Sequence, residues 1–133
     1  MALRWYSTVV DCQDVSAQAA WWAAALGWKK IYEAEDEVVL VPQHATVELL
    51  QSMPWEQVPP GLVFVRVPQG KTVKNRLHLD LAPHTTDDRE AEIARLIAAG
   101  ATRVDIGQDT AATWTVLADP EGNEFCVLSA RDS

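Results

Sequence analysis

The chain has 133 residues, 48 % of them apolar and 23 % charged, with a net charge of −8. That length suits one domain with a real core, and the apolar content, free of low-complexity runs, excludes a disordered chain. The acidic balance argues against a nucleic-acid partner, whose phosphates would be repelled. No apolar run approaches the roughly 20 residues that span a bilayer, so no membrane partner is expected.

Met1-Ala2-Leu3-Arg4-Trp5 enters a strand-like pattern at once, without a signal-peptide layout, and a soluble cytoplasmic protein is expected. Trp5 to Asp11, rich in aromatic and β-branched residues, reads as a strand. Asp14 is placed to cap a helix over Val15 to Leu26, which Gly27 stops. Within it Ala17, Ala20, Trp21, Ala24 and Ala25 recur at helical spacing and predict one apolar face. Trp28 to Glu33 and Glu37 to Val41 read as two strands hinged at an acidic turn, and Leu62 to Val67 as another. Between them His44 to Pro60 fits no repeat. Ala45 to Leu50 is either a short helix or an extra strand, and the segment either a lid or an inert loop.

The second half repeats the plan. Leu77 to Leu81 reads as a strand, a helix begins at Thr85 or Thr86, and Ile93, Leu96 and Ile97 form its apolar stripe. Gly100 ends that helix, and strands follow at Thr102–Ile106, Thr113–Ala118 and Glu124–Ser129. A strand–helix–three-strand unit thus occurs twice. The expected organisation is one domain over residues 1–133, with repeat one at about 3–67, an insertion at about 44–60, and repeat two at about 75–130. Sheets covered by a helix on one face can leave the other face as a ligand site.

Strand alternation puts His78 and Asp80 on one face and Leu77, Leu79 and Leu81 on the other, which is the core face. A neutral imidazole so placed is a metal ligand, a proton shuttle or an ordinary hydrogen-bonding group. Lys71, Lys74 and Arg76 crowd just before it, as a solvated loop or as a rim that steers anions. His44 and His84 sit in loop-like contexts. Cys12 and Cys126 offer neither a disulfide framework nor a CxxC spacing and read as small buried hydrophobes. A reactive Cys126–His78 pair would need the two strands to meet, and the apolar Phe125-Cys126-Val127-Leu128 run would raise the thiol pKa and quench it. Six tryptophans are many for this length: Trp21 and Trp22 lie on the first helix, where at least one belongs to the core, and Trp5 and Trp114 are candidate walls of a ligand site.

Two late segments, Asn75-Arg76-Leu77-His78-Leu79-Asp80-Leu81 and Asp119-Pro120-Glu121-Gly122-Asn123-Glu124-Phe125-Cys126, together resemble the glyoxalase/bleomycin resistance/dioxygenase (vicinal oxygen chelate) superfamily, in its small glyoxalase-like branch. The resemblance implies an α+β fold of duplicated βαβββ units forming a cupped, mixed sheet, and by analogy a homodimer. It also implies a divalent metal held by histidine on the first strand, glutamate or glutamine on the fourth, histidine on the fifth and glutamate on the eighth. The matching positions here are Ser7, Val65 (or a close neighbour), His78 and Cys126. Serine and valine cannot hold such a cation, so no cofactor is expected. The alternative is zinc, nickel, manganese or iron in a displaced site that uses His78 with Glu124; Glu48 is a further stray carboxylate.

The function that follows is a glyoxalase-like protein that binds a small organic ligand without the usual metal, in the manner of a drug-sequestering resistance protein. Trp5, Ser7, Val65, His78, Asp80, Trp114 and Cys126 are its expected ligand-binding residues. His78 is the principal polar contact, or the general acid/base if chemistry occurs. The alternative is a metal-dependent lyase, isomerase or dioxygenase.

Overall fold

A computed structural model describes residues 3–104 and 113–133 of the chain. The chain divides into two compact units, residues 1–70 and 71–133. Among the described residues each contains, in order, a strand, a helix and three more strands, as the duplicated pattern predicts, and the first adds a short helix and a 3₁₀ turn before its last strand.

The first unit runs β1 (Ser7–Cys12), α1 (Val15–Leu26), β2 (Lys29–Glu33), β3 (Glu37–Val41), α2 (Val47–Ser52), a 3₁₀ turn at Trp55–Gln57, and β4 (Gly61–Arg66). Its sheet order is β1-β4-β3-β2, with β1 parallel to β4 and the other neighbours antiparallel. The ends of α1 are fixed locally. Asp14 Oδ1 accepts a hydrogen bond from the Ala17 amide at 3.0 Å, and Gly27, at φ +67°, closes the helix through its N–H on the Ala23 carbonyl. The inward face differs from the expected one. Val15, Gln18, Ala19, Trp21 and Trp22 are buried, whereas Ala17, Ala20 and Ala24 are exposed. In so uniformly apolar a run the period barely distinguishes faces. The two tryptophans, edge to face at 5.0 Å, carry the most area and decide it.

Under α1 lie Val38, Leu40, Leu62 and Phe64, all buried. The opposite face carries Ser7, Val9 and Asp11 on β1 with Val63 and Val65 on β4. The excursion before β4 forms a helix rather than a strand, because Thr46 Oγ1 accepts from the Leu49 amide at 3.1 Å and caps it. No residue of α2 or of the 3₁₀ turn is buried; Ala45 and Val58, on either side, anchor the segment.

The second unit runs β5 (Asp80–Leu81), α3 (Arg89–Ala98), β6 (Thr102–Arg103), β7 (Thr115–Ala118) and β8 (Glu124–Val127). The order β5-β8-β7-β6, with β5 parallel to β8, repeats that of the first unit. The strands are shorter than their patterns predict. β5 begins at Asp80 rather than Leu77, because pairing reaches back only to a bond from the Cys126 amide to the Leu79 carbonyl, and Leu77 is 89 % exposed. Leu77 is therefore no core residue. The helix starts at Arg89, not Thr85 or Thr86. The intervening residues form a turn in which the Thr86 amide donates to His84 Nδ1 and the Asp87 amide to the His84 carbonyl, and Asp88 then caps α3 through the Ala91 amide. Ile93 and Leu96 are buried as expected. Of the predicted strand Thr102–Ile106, residues 105 and 106 lie outside the described residues. Thr113 and Trp114 precede β7, and Leu128 and Ser129 follow β8.

Two devices fix the second sheet. Arg89 donates through Nε to the Leu128 carbonyl and through Nη2 to the Val127 carbonyl and Thr115 Oγ1, each at 2.9 Å, which ties the start of α3 to β7 and β8. The Asp119–Asn123 turn closes β7 onto β8. Buried Asp119 accepts through Oδ1 from the Glu121 and Asn123 amides, both at 3.0 Å, and Gly122 takes φ +92°. No helix among the described residues is long and apolar enough to cross a membrane.

Candidate functional site

β5 and β8 run side by side, and their register sets Asp80 directly opposite Cys126. Thr115 faces Arg89 and α3, so alternation turns Val116, Cys126 and Asp80 to the other side of the sheet. His78, two residues before Asp80, comes to the same side. Its Nε2 lies 3.2 Å from Asp80 Oδ1, with the two side chains 43 % and 50 % exposed, while Cys126 is buried. One donor atom from each of the three, imidazole nitrogen, carboxylate oxygen and sulfur, lies within 4.8 Å of the others.

Burial raises the Cys126 pKa above that of a free thiol, and the Asp80 carboxylate raises it further, both by its charge and by accepting the thiol's hydrogen bond; Lys74 opposes this weakly. At neutral pH the sulfur is therefore a thiol. The carboxylate stands as partner to both imidazole and thiol, so the arrangement does not activate Cys126 as a nucleophile. What it presents to solvent is a carboxylate and an imidazole resting on a small, buried, neutral sulfur.

Glu124 shares the face of Cys126 but has other partners. Lys71 Nζ lies 2.9 Å from its Oε2, with both side chains largely buried, and Asn75 donates to it from backbone and side chain at 3.2 Å each, the latter bond to the Glu124 carbonyl. Burial pushes this carboxyl's pKa up, but Lys71 and the backbone amides outweigh that and bring it below its ordinary value. Of the basic cluster before the strand, Lys71 is thus committed to Glu124, while Lys74 and Arg76 are exposed.

The expected residues of the first unit take separate places. Ser7 pairs with Gly61 and Val65 with Asp11, so on one sheet face they stand four register positions apart, about 13 Å. Neither supplies a nitrogen or carboxylate, and the superfamily's four-donor metal centre does not fit the residues at these positions. Trp5 is exposed beyond the end of β1, its Nε1 donating to the Ser7 carbonyl at 3.2 Å. Trp114 is partly exposed ahead of β7, Trp21 and Trp22 are both core, and Glu48 and His44 are exposed. Two features escaped sequence reasoning. One is the Asn75 clamp on Glu124. The other is the stacking of Arg4 over Trp55 at 4.1 Å and Tyr6 at 4.6 Å. A cation spaced two residues from an aromatic hinted at the second; nothing local signalled the first.

Residues 7–128 match the family model described as glyoxalase-like domain. Among solved structures, a glyoxalase/bleomycin resistance protein/dioxygenase family enzyme from Burkholderia phytofirmans shares 18 % identity, with 96 % of this chain and 99 % of that one covered, at a TM-score of 0.68. The fosfomycin resistance protein FosX from Listeria monocytogenes, in complex with Mn(II) and a dihydroxypropylphosphonic acid, shares 8 % identity over 98 % and 91 %, at 0.67. The bleomycin-binding protein from Streptomyces verticillus, in complex with copper(II)-bleomycin, shares 16 % over 97 % and 99 %, at 0.55. At such identities the likeness is one of fold. No curated protein sequence matches the chain.

Proposed function

This chain belongs to the glyoxalase-like domain family, within the vicinal oxygen chelate superfamily, and on that premise we propose that it binds a small organic ligand against His78, Asp80 and Cys126. The observation that carries the reading is the half-exposed His78–Asp80 pair, 3.2 Å apart on the face turned away from Arg89. An exposed carboxylate next to an imidazole favours a ligand with a cationic or hydrogen-bond-donating group. The net charge of −8 favours the same sign of ligand. Of two structural neighbours, FosX is a fosfomycin resistance protein seen with Mn(II) and a dihydroxypropylphosphonic acid, and the Streptomyces protein binds bleomycin. Sequestration of a drug-like cation is therefore the specific form proposed here. Trp114, ahead of β7 in the same unit, is proposed to contribute aromatic contact. The same reading takes the protein as a cytoplasmic homodimer, which sedimentation at micromolar concentration checks.

The test is a titration of drug-sized cations followed by tryptophan fluorescence and calorimetry. Saturable binding is expected. His78→Ala and Asp80→Asn should each weaken it about tenfold, the scale of one lost hydrogen bond to a charged group. Binding unchanged in both variants would place the ligand elsewhere and overturn the reading.

A further inference from the structure

The superfamily's metal centre lacks its donors at Ser7 and Val65, yet three donor side chains converge within the second unit alone. We propose that His78, Asp80 and Cys126 form a site for one thiophilic divalent cation of the zinc class, different in composition from the superfamily's histidine–carboxylate centre. The proposal rests on the reading above only in taking this face as the binding site.

The backbone brings the donors together. Asp80 and Cys126 are register partners on adjacent parallel strands, and His78 lies one alternation away on the same side. Their ligand atoms lie within 4.8 Å of one another, and the closest pair is at 3.2 Å. In a tetrahedral zinc site, metal–ligand distances of about 2.0–2.3 Å put donor atoms roughly 3.3–3.8 Å apart. Bringing the widest separation, at most 4.8 Å, to that size takes a shift of about 1 Å. Two of the three side chains are about half exposed, so an ion has a path in and a fourth position open to water or to a ligand atom.

The donor chemistry selects the ion. One sulfur, one imidazole nitrogen and one carboxylate oxygen suit zinc or cobalt(II), whereas magnesium and calcium prefer all-oxygen shells. Manganese stands at the weak end of the divalent series for nitrogen and sulfur donors. Binding replaces the proton on Cys126 with the metal: a sulfur–metal bond forms, the S–H bond breaks, and one proton passes to buffer with no change of oxidation state. Glu124 takes no part, since Lys71 and Asn75 hold it. The other cysteine, Cys12, is buried in the first unit and serves as the internal control.

The experiment is titration of the tag-free, chelator-treated full chain with cobalt(II), read by absorption. The expected result is saturation at one equivalent, with a thiolate-to-cobalt charge-transfer band and the intense visible bands of a tetrahedral ion. Zinc should bleach both, and a large excess of magnesium should not. Cys126→Ser should lose the charge-transfer band while Cys12→Ala keeps it, and His78→Gln and Asp80→Asn should each weaken cobalt binding at least tenfold. His78 and Asp80 are exposed enough that their variants should fold, which circular dichroism checks, so the test does not depend on Cys126→Ser folding. Absence of a saturable band in the parent protein, or its persistence at full strength in His78→Gln, overturns the proposal. If cobalt fails to bind while an organic ligand still binds and loses affinity in His78→Ala, the metal site falls and the ligand-binding reading stands. Cobalt binding as expected, with no organic ligand held by the metal-free or the loaded protein, leaves the metal site and removes the ligand-binding reading.

Discussion

Cys126 is the residue whose behaviour the structure constrains most. Buried, with the Asp80 carboxylate opposite it on the neighbouring strand raising its pKa, its thiol should resist alkylation. In a Cys12→Ala background at pH 8, native protein is expected to react with iodoacetamide far more slowly than unfolded protein. Asp80→Asn should speed the reaction by removing the charge that favours the protonated form. Equal rates for native and unfolded chains would mean that the thiol is open to solvent. Asp119 is the second such residue. Asp119→Ala leaves the Glu121 and Asn123 amides without their acceptor in a buried turn and should cost about 2 kcal/mol in urea unfolding. Asp119→Asn keeps an acceptor oxygen and should cost less. The Asp14 cap was legible because it is settled within four residues. The pairing of Asp80 with Cys126 was not, because it depends on register between strands far apart in sequence.

At the level of elements, the segment from Lys71 to His78 is held to β8 by polar bonds rather than by a strand ladder. Its keystone is the Lys71–Glu124 pair. Because the Glu124 pKa lies below its ordinary value of 4.5 in the folded protein, the pair's contribution is complete above that value and disappears as pH falls through the lower, folded one. Lys71→Met should therefore cost roughly 2 kcal/mol at pH 7, and much less once the carboxyl is protonated in both states. Chemical denaturation at pH 7 and pH 3 measures the difference; a cost independent of pH would assign the loss to packing of the lysine stem. This clamp explains why Leu77, in a run that alternates like a strand, is exposed: alternation signals a strand only where a neighbour pairs with it. On α1 the sequence located the ends but not the buried side, since a mostly alanine run gives the helical period little contrast and leaves the choice to Trp21 and Trp22.

Across the whole molecule, the duplicated order of elements was legible because an apolar helix with a glycine end, at Gly27 and again at Gly100, recurs with it, whereas the second cap, Asp88, was not legible, since that helix was expected to begin at Thr85 or Thr86. The candidate site was legible in its members, since His78, Asp80 and Cys126 all stood out. Its composition as one cluster was not. The charge of −8 belongs to this scale, and it makes a prediction there. Affinity for a cationic ligand should fall steadily as salt rises from 0.05 to 0.5 M, because the long-range part of the attraction is screened beyond about one Debye length, roughly 10 Å at 0.1 M. Affinity that ignores salt would leave the attraction to local contacts alone.

The parallel pairing of the first and last strands of each unit has a consequence for synthesis. β1 emerges from the ribosome early, but the partner it needs is β4, and β5 likewise waits for β8. Neither sheet can close until its final strand has been made, at about 5–20 residues per second. During that interval β2 and β3, which pair with each other, can form a hairpin, while β1 has an unmatched edge that a chaperone or a neighbouring nascent chain could occupy. Slowing translation just before Gly61 should therefore harm folding yield more than slowing it after Arg66.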